Sequence, residues 1–76
     1  MATKKFIVPF ASGFLNMPTI DYVVKVTDRE EERDFFKRVA AIDKAVVMFE
    51  REYGGNGNRY VLLNKVKDVT GQKLGN

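Results

Sequence analysis

The spacing of apolar positions changes along the chain, and each change marks a predicted element. Over residues 4–10, Phe6, Val8 and Phe10 fall on one alternating face, the signature of a strand. Pro9 inside that run cannot donate to a ladder, which predicts an edge strand rather than a central one. Residues 20–26 alternate more cleanly. Tyr22, Val24 and Val26 stand against Asp21, Val23 and Lys25, and the run is rich in the β-branched and aromatic side chains that suit a pleated, half-buried surface. Beyond residue 27 the period lengthens. Thr27 or Asp28 can cap a helix, and Glu30, Glu31, Glu32 and Asp34 crowd first turns where the macrodipole favours negative charge. Phe35, Phe36, Val39, Ala40 and Ile42 then make one apolar face at helical spacing, with Lys37, Arg38 and Lys44 toward the C-terminal end.

From residue 42 two patterns overlap. Phe35, Val39, Ile42, Val46, Phe49 and Tyr53 keep spacings of four and three, which would carry one helix as far as Gly54. Against this, residues 45–49 are a compact apolar run, residues 49–53 alternate as a strand would, and Glu50 and Glu52 oppose the dipole at a helix C-terminus. Residues 54–58 form a glycine- and asparagine-rich loop before a second apolar run at residues 59–63, a hairpin arrangement. The preferred reading is a helix over 28–42 and a hairpin pairing 45–53 with 59–67, its last strand ending near Val69. The predicted class is therefore α+β: a small antiparallel sheet with one helix packed on one face, in the order ββαββ. The alternative is ββαβ with one long helix over 28–53.

Length and composition narrow the chemistry. At 76 residues the chain is expected to form one domain over 1–76, with residues 70–76, nearly devoid of core side chains, as a disordered tail. It contains no Cys, His or Trp, so a disulfide staple, a cysteine-based zinc site and the commonest proton shuttle near neutral pH are excluded. The glycines of residues 54–57 precede a strand-like run rather than a helix and lack the Lys-Ser/Thr ending of a phosphate-cradling loop. The acidic cluster at residues 30–34 is the pattern of a solvated helix N-terminus. These observations predict no enzyme, no cofactor and no metal. The apolar runs fall far short of the roughly 20 residues that span a bilayer, and the N-terminus lacks a signal peptide's apolar core, so no membrane association and a cytoplasmic location are expected.

Two surfaces carry the functional expectations. Between Gly13 and Pro18 lie Phe14, Leu15 and Met17, which either tuck over the end of the core or dock into a partner protein. The net charge is +3, distributed as +2 over residues 1–27, −2 over 28–53 and +3 over 54–76. Lys4, Lys5, Arg59, Lys65, Lys67 and Lys73 could then share one basic face, with Phe6, Phe10, Tyr22 and Tyr60 as stacking surfaces for a nucleic acid. Lysines on edge strands also simply oppose aggregation, and no RRM, KH or homeodomain signature is present. The leading expectation is a small non-catalytic protein-binding module that attaches to and modulates a larger host protein or complex, of the kind common among phage accessory or inhibitor proteins. The alternative is a sequence-unspecific nucleic-acid-binding protein using a basic sheet edge. A domain this small gains stability readily from a partner or from homo-oligomerisation.

Overall fold

Residues 3–12, 19–31 and 33–72 are described in the computed structural model. β1 (Thr3–Ala11) and β2 (Thr19–Thr27) form an antiparallel ladder running from Thr3 opposite Thr27 to Ala11 opposite Thr19. The period-2 pattern decides which face is covered. Phe6, Val8 and Phe10 of β1 and Ile20, Tyr22, Val24 and Val26 of β2 point to one side and are buried. On that side lies α1 (Asp34–Tyr53), which contributes Ala41, Ala45, Val46 and Phe49 to the same core. The two alanines let the helix backbone approach the sheet, and Phe49 stacks on Phe10 with ring centroids 4.6 Å apart and planes 9° from parallel.

The last element of the sheet, β3 (Lys67–Asp68), pairs antiparallel with β1, so the strand order is β2-β1-β3 and β1 is central. This corrects the edge-strand expectation for residues 4–10. The odd-numbered residues of β1 turn their backbone groups toward the C-terminal segment: Leu62 N–H donates to the Pro9 carbonyl, Ala11 N–H to the Tyr60 carbonyl, and Val69 N–H to the Lys5 carbonyl. Between Leu62 and Lys67 that segment leaves the ladder in a 3₁₀ turn at Leu63–Lys65. The missing donor of Pro9 faces this break, and toward β2 Pro9 sits opposite Asp21 in a pair that exchanges no hydrogen bonds. A proline is tolerated in a central strand because its neighbour is interrupted where a donor would be needed.

The helix differs from the preferred prediction at both ends. It begins at Asp34, not 28, because residues 27–30 form a turn in which Glu30 and Glu31 N–H both donate to the Thr27 carbonyl. Arg33, with extended backbone, precedes the first turn. Lys37, 1 % exposed, reaches back from α1 to the carboxylates of Asp28 and Asp34 and ties the turn to the helix. At the other end α1 runs through Tyr53, so the hairpin pairing 45–53 with 59–67 is not formed and the strand order is ββαβ, closer to the long-helix alternative. Glu50 and Glu52, which argued against a helix here, have dedicated donors. Glu50 Oε2 accepts from Gly57 N–H at 2.8 Å, and Glu52 Oε2 accepts from the Tyr22 hydroxyl at 2.9 Å. Gly54, at φ 77°, ends the helix by donating its N–H to the Glu50 carbonyl. The chain then folds back through a 3₁₀ turn at Gly57–Arg59, bridges Phe10 at Val61, and continues along β1. Of the expected tail, residues 70–72 are held: Lys5 N–H donates to Thr70 Oγ1, and Lys5 Nζ to the Gln72 carbonyl. Residues 73–76 lie outside the described residues.

Candidate functional site

The outer flank of α1 is unusually apolar. Phe35, Phe36, Val39 and Val47 are 75 %, 36 %, 45 % and 48 % exposed, and Leu63 in the 3₁₀ turn is 56 % exposed. The sequence pattern groups Phe35, Phe36, Val39, Ala40 and Ile42 on one apolar face, and the structure divides that face: Ala40 and Ile42 pack against the core, whereas Phe35, Phe36 and Val39 stay exposed. α1 carries apolar residues around more than half its circumference, but one sheet can cover only one side, and the inward side is taken by Ala41, Ala45, Val46 and Phe49. The breadth of this apolar arc was the available sequence signal. The flank is ordered. The rings of Phe35 and Phe36 meet edge to face at 5.0 Å, the Arg33 guanidinium lies 4.4 Å from the Phe36 ring centroid, and Arg38 fixes the Leu63 turn by donating to the Leu63 and Val66 carbonyls at 3.0 and 3.1 Å.

The opposite surface is the open face of the sheet, built from the odd-numbered residues of β1 and β2. Lys5 lies directly opposite Lys25, Ile7 sits between Val23 and Lys67, and Pro9 opposes Asp21. A shallow depression of about 450 Å³ on this face is lined by Ile7, Pro9, Thr19, Asp21, Lys65 and Lys67. Asp21 accepts from the Thr19 hydroxyl at 2.8 Å, while the ammonium groups of Lys25, Lys65 and Lys67 have no ion-pair partner among the described residues.

The structure divides the predicted site residues. Lys5, Lys65 and Lys67 share the open face, joined by Lys25, which the sequence reading did not include although its alternation in β2 places it there. Lys4 is on the helix side, 3.2 Å from Asp68 Oδ2 and 4.0 Å from Asp34 Oδ2. The hydroxyl and N–H of Thr70, together with Lys4, hold the Asp68 carboxyl down at about 2. Arg59 belongs to the turn packed on the C-terminal half of α1. Phe14, Leu15, Met17 and Lys73 lie outside the described residues. Phe6, Phe10 and Tyr22 are core residues and offer no ring to a base, and Tyr60, 37 % exposed, leans on Phe49 at 5.6 Å. Burial, with the Glu52 carboxylate beside it, pushes the Tyr22 hydroxyl up to about 12.

Fold and surfaces together define a small α+β domain: a three-stranded antiparallel sheet in the order β2-β1-β3 with one main helix against one face. Compared with protein-family models, curated proteins and solved structures, the chain gives no match. Among the described residues no helix is long and apolar enough to cross a membrane, and no group of three acidic side chains is placed to hold a metal ion.

Proposed function

We propose that this chain is a small non-catalytic protein-binding module that attaches through the outer flank of α1 to a larger protein assembly and modulates it. The observation that supports the reading is the exposure of Phe35, Phe36, Val39 and Val47 on one flank of an ordered helix. Each such side chain, 36–75 % exposed, forgoes roughly half of the 1.5–3 kcal/mol that full burial contributes, a cost that a domain of marginal stability recovers when a partner covers it. Helix faces of this kind bind into apolar grooves through anchors one or two turns apart, and Phe36, Val39 and Val47, spaced by three and eight residues with the exposed Asp43 between the last two, offer such anchors along α1. The test compares capture by the native chain with capture by Phe35→Ser/Val39→Ser/Val47→Ser. The native chain is expected to retain one protein at fixed stoichiometry after nuclease treatment. The variant, folded by circular dichroism, should lose it, since a single buried anchor commonly contributes about 2 kcal/mol, more than tenfold in affinity. Equal capture by both chains would refute the assignment of this flank.

A further inference from the structure

We propose that the open face of the sheet, on the side away from α1, binds the phosphate backbone of single-stranded nucleic acid through Lys5, Lys25, Lys65 and Lys67. Four lysines and Asp21 give this face a charge of +3, equal to the net charge of the whole chain, so the rest of the sequence is electrically balanced. The lysines are also held together at a cost. Lys5 and Lys25 are direct cross-strand partners, and because odd residues of β1 direct their backbone bonds toward the C-terminal segment, this is the closer, non-hydrogen-bonded kind of pair. Like charges in that position repel; the Lys5 ammonium donates to the Gln72 carbonyl at 2.7 Å but has no anionic partner among the described residues, and an anion lying between the two lysines turns the repulsion into attraction. Lys67 stands beside Ile7, one diagonal step from Lys5, so the cations step across the strands at intervals of roughly 5–8 Å, a scale suited to the successive phosphates of an extended strand.

The position of these lysines favours a nucleic acid over an acidic peptide. An extended peptide joins a sheet by pairing its backbone along a free edge. Here the charges project from the face of the sheet, Lys5 from β1, Lys25 from β2 and Lys67 from β3, with Lys65 in the turn before it; on that face a peptide backbone finds no donors or acceptors, whereas a phosphodiester chain needs only the charge. A duplex fits less well, because the face offers neither a helix nor a projecting ribbon to enter a groove. Ile7 and Val23, the latter 47 % exposed, give bases an apolar floor without an aromatic ring, so contact is made to phosphates and carries no sequence preference.

The experiment measures binding of a fluorescent oligothymidylate of about 20 nucleotides by anisotropy between about 50 and 200 mM salt. The native chain should bind with an affinity that falls steeply with salt. Lys25→Gln/Lys67→Gln should lower the slope of log affinity against log salt by about 1.4, at about 0.7 per lost phosphate contact on a single strand. The quadruple glutamine variant should abolish binding. Arg29→Gln/Arg51→Gln removes the same charge from exposed positions elsewhere and should leave the slope unchanged. Should the quadruple variant unfold, Lys25→Gln alone, at an exposed position, carries the test with a slope change of about 0.7. Absence of binding at about 50 mM salt would overturn the proposal. So would equal loss in the arginine variant, tighter binding of a duplex, or displacement of the oligonucleotide by polyglutamate at matched charge. The α1 variant Phe35→Ser/Val39→Ser/Val47→Ser should bind the oligonucleotide as the native chain does, which separates this surface from the helix flank.

Discussion

Replacing Phe49 with alanine is expected to destabilise the domain severely, while the same truncation two residues earlier, at Val47, should matter little. Phe49 is 1 % exposed and lies at the centre of an aromatic cluster: Phe10 at 4.6 Å, Tyr53 at 5.2 Å and Tyr60 at 5.6 Å. Truncating a buried phenylalanine costs about 3–5 kcal/mol, and loss of the stacked Phe10 partner places the change toward the upper end. At roughly 0.05–0.15 kcal/mol per residue a domain of this length has about 4–11 kcal/mol in total, so Phe49→Ala removes about half of it. At about 4–8 °C per kcal/mol the melting temperature should fall by about 15–30 °C in a circular dichroism melt. Val47, 48 % exposed, should change stability by less than about 0.5 kcal/mol. The contrast depends on the helix. At about 100° per residue the two side chains point roughly 200° apart, whereas in a strand they would share a face and both be felt. Comparable losses at the two positions would refute the helical packing of residues 45–53.

The remaining predictions concern the closure of the fold and its response to alkali. A Cβ added at Gly57 would lie 3.1 Å from Val46 Cγ1 and 3.3 Å from the Val46 carbonyl oxygen, so Gly57→Ala should cost about 1–3 kcal/mol by overpacking, read from the urea midpoint at unchanged slope. Stability should decline as pH rises from about 10 to about 12, because the unfolded chain releases the Tyr22 proton near 10 while the folded chain keeps it until about 12. Lys37, held charged by Asp28, adds to this loss only above its ordinary value of 10.5. Titrating phenolate absorbance while following the fold checks both, and a stability that stays flat through this window would contradict the burial of Tyr22.

Much of the sheet was legible because strand periodicity is local. β2 is found where Tyr22, Val24 and Val26 alternate with Asp21, Val23 and Lys25, and its buried positions follow directly. The course of residues 42–69 was not legible, because non-local partners decide it. Glu50 and Glu52 oppose a helix C-terminus only until Gly57 N–H and the Tyr22 hydroxyl are brought to them, and neither is a sequence neighbour. Pro9 marks an edge only if the adjacent strand is continuous, and the break at Leu63–Lys65 is visible in three dimensions alone. The candidate surfaces divide in the same way. Lys5 and Lys67 are found by charge, Lys25 is not, and the apolar face of α1 is legible without its division into covered and exposed parts, because a helical pattern shows how many positions are apolar without showing which of them the sheet takes.

Lys44 has a consequence for how copies of this protein meet one another. Its ammonium donates to the Lys25 carbonyl at 2.7 Å as well as to Glu30. That carbonyl points away from β1, along the border where β2 ends the sheet. A border strand of nine residues is a template on which another chain could grow, one strand after the next, toward a fibre. By occupying an acceptor that an arriving strand would need, and by bracing Glu30 beside it, Lys44 breaks the template near the end of β2, while Asp21 and Lys25 flank the Val23 position with charge. A side chain belonging to the helix thus takes one of the acceptors on the sheet's border.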